Sequence, residues 1–275
     1  MFRLKKWAGI IEDDRDVDDK IYSMMTGFFH VNSARLLDYW IRYIDGNKVA
    51  NNEEERIMRN MLYYTFYKKN PAKCGFQSID EGIESVLKET FVRDEVLQIL
   101  KYNRKHISFV AGRNEYSYLC PLDLHCRYNT NQIMAAFGLF TETESPEFRE
   151  GVKRLKIKTD IFFINLNKSE KDFSPSTMYE DYAINDKLFH WQSQSQDRQA
   201  SAKIQRYINH KNTGDIISLF VREFKRLGSY TAPYTFLGNA DYVKHEGERP
   251  VSFVWKLHNS IPADMLPKAN KSIAL

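Results

Sequence analysis

The residues of this 275-residue chain best equipped for chemistry lie between Lys158 and Gln196. His190, Trp191, Gln192 and Ser193 set an imidazole, an indole, an amide and a hydroxyl in succession. Strand alternation sends Trp191 and Ser193 to one face and His190 and Gln192 to the other, while Tyr179, Asp181 and Ala183 share a face just upstream. Lys168, Ser169, Lys171, Asp172, Phe173 and Ser174 form the loop before them. Aromatic surfaces for a planar ring, with donors and acceptors at its edge, are what reading a nucleobase requires, and a carboxylate suits the exocyclic amine of cytosine. The same pattern also fits a plain strand with Phe189 and Trp191 in the core and the polar residues at its edges.

A second constellation has the spacing of a metal-dependent nuclease. Asp215 precedes Glu223-Phe224-Lys225, and a carboxylate pair with a lysine can hold Mg²⁺ and activate water. Charges on the outer face of a strand explain Glu223 and Lys225 as well. Other signatures are missing: there is no glycine-rich phosphate loop, no His-Glu-x-x-His, and no Cys-x-x-Cys after Pro121 to complete a zinc deaminase. His125 and Cys126 are adjacent, which suits a single ion poorly. The acidic run Glu12–Asp19 lacks the glycine and the terminal glutamate of a calcium loop and reads as a solvated turn. No metal or cofactor is expected.

The elements that must position these residues fall into two parts. Residues 1–105 read as a small helical domain. Leu36, Trp40 and Ile44 form a row stopped by Asp45-Gly46-Asn47, Glu53–Tyr67 is a second helix, Ser78 and Glu81 start a third with a capping box, and Arg93–Tyr102 makes a fourth. Residues 106–275 read as mainly β. Ile107–Val110, Tyr116–Leu119, Asp160–Leu166, Met178–Ile184, Phe189–Gln192, Ile216–Phe224, Tyr234–Leu237 and Val251–Leu257 are strand candidates, and Thr130 caps a helix at Asn131–Phe137 that Gly138 closes. Gln192–Ser201 reads as an exposed loop. The fold class is α+β, and many short strands with one helix predict a closed or nearly closed barrel.

Composition narrows the partners. Residues 1–150 hold 21 Lys+Arg against 23 Asp+Glu, and residues 151–275 hold 19 against 13, so the formal excess of +4 sits in the C-terminal half. That permits a polyanion there. Three cysteines, Cys74, Cys120 and Cys126, are too few for a disulfide framework and read as buried thiols in a reducing compartment. No apolar run reaches the roughly 20 residues of a membrane span, and no signal peptide opens the chain. The expectation is a cytoplasmic chain with no membrane partner.

From about Leu122 onward the chain resembles a family at the C-terminus of bacterial helicase-like ATPases. The blocks are LDLHCRYNTNQIMAAFG, KTDIFFINLNKSEKDFSPSTMYEDYAINDKLFHWQSQS, RYINHKNTGDIISLFVREFK, TAPYTFLGNADYVKHEG and RPVSFVWKLH. The resemblance is to the helical coupler and SRA-like (PUA-like) recognition domain of SauUSI-type, ATP-dependent Type IV restriction endonucleases, which serve anti-phage defence by cutting DNA that carries 5-methylcytosine or 5-hydroxymethylcytosine. It implies a module that flips a modified cytosine out of duplex DNA. It also implies partners in the nuclease and motor domains of a longer protein, whose His-x-Lys and motor motifs this chain lacks, and it allows a homodimer; the chain by itself would then be no enzyme.

On that reading Tyr179, Tyr182, Phe189 or Trp191 would line a niche for the 5-methyl group, with Asp181, Asp172, Phe173, Gln192 and Ser193 around the base. Lys168, Ser169, Lys171, Lys187, Arg206, Lys211 and Arg222 would hold phosphates without reading sequence. The nuclease built on Asp215, Glu223 and Lys225 and a module that docks on a helicase-like ATPase are the alternatives.

Overall fold

The computed structural model describes residues 23–46, 48–148, 151–167 and 180–270. Two compact units divide between residues 148 and 149.

The first unit is helical because its caps and apolar rows agree. Ser33 ends an extended stretch and its hydroxyl accepts from Leu36 N, which starts α1 (Ala34–Ile44) and buries Leu36, Leu37, Trp40 and Ile44 on one side. Asn52 caps α2 (Glu53–Phe66), whose first turn carries Glu53, Glu54 and Glu55 where the helix dipole favours anions. Trp40 Nε1 donates to Met58 O at 2.8 Å and ties the two helices together. Pro71 opens the one-turn α3 (Pro71–Cys74) and Gly75, left-handed at φ 85°, ends it. Ser78 caps α4 (Ile79–Leu87) through Glu81 N, but the Glu81 carboxylate accepts from Gln77 N rather than Ser78 N, so the expected box is only half formed. The fourth helix expected at Arg93–Tyr102 is longer, α5 (Thr90–Lys105).

Residues 106–148 pack with these helices, whereas the sequence assigns them to the β part. Ile107–Val110 and Tyr116–Leu119 form no strands; one bridge, Arg113 to Asp123, is all the ladder there. The amide of Asn114 instead donates to Cys120 O and Leu122 O, both at 2.7 Å, and closes a loop. Asp123 accepts from Ser33 Oγ at 2.5 Å and Arg35 Nη2 at 2.7 Å, which pins that loop to α1. After the two-residue β1 (Arg127–Tyr128), Asn129 rather than Thr130 caps α6 (Thr130–Ala136). Gln132 completes its capping box and donates to Gly27 O and Thr65 Oγ1.

The second unit is built on a mixed sheet. Its strands are β2 (Val152–Arg154), β3 (Thr159–Asn165), β4 (Tyr182–Ala183), β5 (Leu188–Gln192), β6 (Ile216–Arg222), β9 (Tyr234–Glu246) and β10 (Ser252–Leu257), in the order β2-β3-β6-β9-β10-β5-β4. Between β6 and β9, β7 (Arg226–Leu227) and β8 (Tyr230–Thr231) pair with each other. Along this order β3 and β6 run parallel, Thr159 opposite Ile216 through Asn165 opposite Arg222, and the other neighbours pair antiparallel. All seven β3 residues are buried, as a strand covered on both faces requires. Among the described residues β2 and β4 end the order without pairing to each other, so the sheet is open. Among the described residues the expected barrel is therefore not closed.

One face of the sheet carries Phe162, Trp191, Leu219, Phe253 and Trp255, and it packs on Ile204 and Tyr207 from α7 (Ala202–Ile208). The sequence reading passes over α7, although Ser201 as a cap followed by Ile204, Tyr207 and Ile208 is its signature. After it come α8 (His210–Thr213) and, near the C-terminus, α9 (Leu266–Ala269). No helix among the described residues is long and apolar enough to cross a membrane.

Candidate functional site

The β4–β5 end of the sheet keeps its two faces distinct. Phe189, Trp191 and Ser193 are buried, while Tyr182, His190 and Gln192 are half-exposed. Pairing puts Tyr182 beside His190, His190 beside Val254, and Val254 beside Lys244, so these four form one cross-strand row on the face away from the aromatic core. In that row the Tyr182 and His190 rings stack, centroids 4.6 Å apart and planes 18° from parallel. His190 Nδ1 bonds Glu180 O at 2.8 Å, which fixes the imidazole beneath the phenol.

The next row is a polar brace. Gln192 N donates to Asp181 Oδ1, and Gln192 Oε1 accepts from Glu180 N, both at 2.9 Å. Gln192 Nε2 donates to Ser252 Oγ at 3.2 Å. Ser193 Oγ accepts from Val251 N at 3.0 Å. Asp181 and Gln192 therefore hold the approach to β4 in place, Ser193 holds the approach to β10, and Asp181 commits one carboxylate oxygen to the main chain.

Trp191 and Phe189 lie inside the core. The indole is 4.3 Å from Phe162 and 5.8 Å from Phe253 between centroids, and Phe189 is fully buried. Two rings that sandwich a third need about 7 Å between them, so these contacts leave no slot for a base. Tyr179, Asp172, Phe173, Lys168, Ser169 and Lys171 lie outside the described residues.

The remaining basic residues divide by environment. Lys211 is exposed and pairs with Asp241 at 2.8 Å, and Lys187 is half-exposed with Nζ on His258 O at 3.1 Å. Arg206 is half-exposed and bound in a fork to Asp160, Nε to Oδ2 and Nη2 to Oδ1, each at 3.0 Å. Asp160 is fully buried and also takes Arg154 Nη1 at 2.8 Å. Arg222 departs from its expected phosphate role: it is buried, its Nε donates to Asn165, its Nη1 donates to Ala232 O, and its guanidinium lies 4.2 Å from the centre of the Tyr234 ring.

The nuclease constellation does not assemble. Asp215 stands immediately before β6 and Glu223 immediately after it, and seven intervening strand residues put their Cα atoms roughly 26 Å apart. Asp215 is bound by Arg154 and Thr213. Burial works against its charge, yet those two partners outweigh burial and hold its carboxyl below the usual range. Among the described residues no three His, Cys, Asp or Glu side chains gather as metal ligands. Cys120 and Cys126 are buried, which pushes both thiols up to about 12, whereas Cys74, expected to be buried, is half-exposed.

Sequence reasoning missed His190 as a partner of Tyr182, and it missed Lys244. Both follow from cross-strand register, for which the sequence holds no local signal. No curated protein matches the chain. A family model does match, over residues 122–268, more than half of the chain and the region of the blocks quoted above, and by it the chain belongs to the family described as a domain of unknown function, DUF3427.

Proposed function

We propose that the chain reads 5-methylcytosine or 5-hydroxymethylcytosine in duplex DNA by base flipping, as the target-recognition part of a modification-dependent Type IV restriction enzyme. The observation that carries the reading is the half-exposed Tyr182–His190 stack, fixed from behind by Glu180, at the open end of the sheet. A flipped base must recover an unstacking cost of a few kcal/mol, and stacking on an aromatic platform returns about 1–3 kcal/mol per base. Exposed Lys244 continues the same row and suits a phosphate.

On this reading Tyr182, Asp181 and Gln192 keep their place around the base. Phe189 and Trp191, expected in the niche for the 5-methyl group, belong to the core, and Tyr182, backed by His190, offers the base one aromatic face. An SRA-like relationship belongs to the same proposal, with an open sheet instead of a barrel. Cleavage falls to nuclease and motor domains of a longer protein. Competition binding with duplexes that differ only in one 5-methyl or 5-hydroxymethyl group tests the reading. The modified duplexes should win, and equal affinity for modified and plain duplex would sink it.

One observation favours a docking role for the first unit in addition. Phe109, Val110 and Leu119 are exposed in one loop region, Val110 almost completely, at 99%. That apolar loop suits contact with a helicase-like motor, and Val110→Asp should weaken binding to it in a pull-down while the mutant's DNA affinity stays unchanged.

A further inference from the structure

The hairpin of β7 and β8 is the least explained part of the second unit. Its loop, Gly228-Ser229, has two residues, and Gly228 at φ 59° supplies the positive φ that a type II′ hairpin turn asks of its first position. Leu227 stands opposite Tyr230 and Arg226 opposite Thr231. Leu227 is 43% exposed, so the prong holds a large apolar side chain in water, and Phe224, just before the hairpin, is 44% exposed.

The base of the hairpin is fixed. Ala232 N donates to Lys225 O at 3.0 Å and Asn167 N to Glu223 O at 2.9 Å. Buried Arg222 donates to Ala232 O at 3.1 Å and lies over the Tyr234 ring. Ala232 and Tyr234 are buried. An arginine expected to hold phosphate is thus the mount of an exposed prong.

Charge names the occupant. Arg226 is exposed beside Leu227, and the nearby carboxylate of Glu223 is 3.9 Å from Lys268, so a cation stands next to the exposed apolar side chain. Apolar side chains flanked by cations enter between base steps, where they replace stacking and the cations meet the phosphates on either side. We propose that this hairpin is a wedge for duplex DNA: Leu227 inserts into the base stack while Arg226 beside it grips the backbone. The inference rests on the DNA reading above and adds the part that opens the stack.

The test uses the whole chain and a duplex with a central 5-methylcytosine and 2-aminopurine as its neighbour, which brightens on unstacking. Wild type should raise the fluorescence. Leu227→Ser, at an exposed position that leaves the core untouched, should bind the duplex by anisotropy yet lose the rise, and Leu227→Met should restore it. An equal rise with Leu227→Ser overturns the wedge and leaves the modified-base reading standing; a wild type that prefers the methylated duplex without brightening it overturns the wedge and base flipping together, while the preference for the modified base stands. A Leu227-dependent rise on methylated and plain duplex alike, with equal affinity, supports the wedge and sinks the modified-base reading. A Leu227→Ser change that alters only the oligomeric mass in light scattering assigns the tip to a protein contact and overturns the wedge.

Discussion

His210 shows how fully a single side chain can be committed. It is buried at 3% exposure, Tyr242 N donates to its Nε2 at 3.0 Å, and its Nδ1 bonds Asp215 O at 3.1 Å. A main-chain amide has only a proton to give, so Nε2 is the acceptor and the ring is neutral with its proton on Nδ1. Burial lowers its pKa, and burial likewise takes His30, bonded to Gln132, down to about 4. Both folded values lie below the unfolded value of about 6.5, so the stability these rings contribute is present above that pH and is lost as pH falls beneath it. The melting temperature should therefore drop between pH 7 and pH 5, and His210→Gln should flatten that slope; a parallel slope would place the titration elsewhere. Trp191 and Tyr182 make a second contrast. Trp191→Ala empties a packed core position and should cost about 3–5 kcal/mol in denaturant unfolding. Tyr182→Ala, at a half-exposed site, should leave the unfolding midpoint nearly unchanged and lower affinity for modified duplex roughly tenfold or more.

Among the elements, α4 crosses α2 at a glycine. A Cβ on Gly82 would stand 2.5 Å from Tyr63 Cε2, and Tyr63 is fully buried. Alanine gains up to about 1 kcal/mol of helix propensity, but overpacking costs about 1–3 kcal/mol. Gly82→Ala should therefore destabilise the chain, seen as a lower midpoint in urea; a higher midpoint would mean that the Tyr63 ring moves aside freely. The helices were legible because their signals are local: Ser33 and Asn52 sit at caps, and Leu36, Trp40 and Ile44 recur at one turn. The strands of 106–119 were misread because alternation in Tyr116-Ser117-Tyr118-Leu119 says nothing of a partner. The two tyrosine rings stack on each other, 4.8 Å apart, in a loop that Asn114 closes. β9 runs to Glu246 where Leu237 was the expected end, because its first half pairs with β6 and its second with β10. A polar tail such as Asp241–Glu246 becomes strand only when a neighbour accepts its hydrogen bonds.

At the scale of the whole molecule, charge is the quantity to measure. If the second unit binds DNA, log affinity should fall linearly with log salt, by about 0.9 per phosphate held. Lys187→Ala and Lys211→Ala should each reduce that slope by about one contact, and Arg206→Ala by less, since its guanidinium already faces Asp160. A slope unchanged by both lysine variants would move the phosphate track elsewhere. By itself the sequence determined the α+β class, the helical start, the alternation that separates Trp191 from His190, and the basic excess of the C-terminal half, all of which depend on composition or on neighbours along the chain. The tertiary structure alone decided that the sheet stays open, that 106–148 packs with the helices, that Trp191 is core while Tyr182 and His190 share a stack, that Asp215 and Glu223 lie at opposite ends of β6, and that Arg222 mounts a hairpin. Each of these depends on which distant segment supplies the missing hydrogen bonds and apolar contacts, and that choice is made only when the whole chain packs.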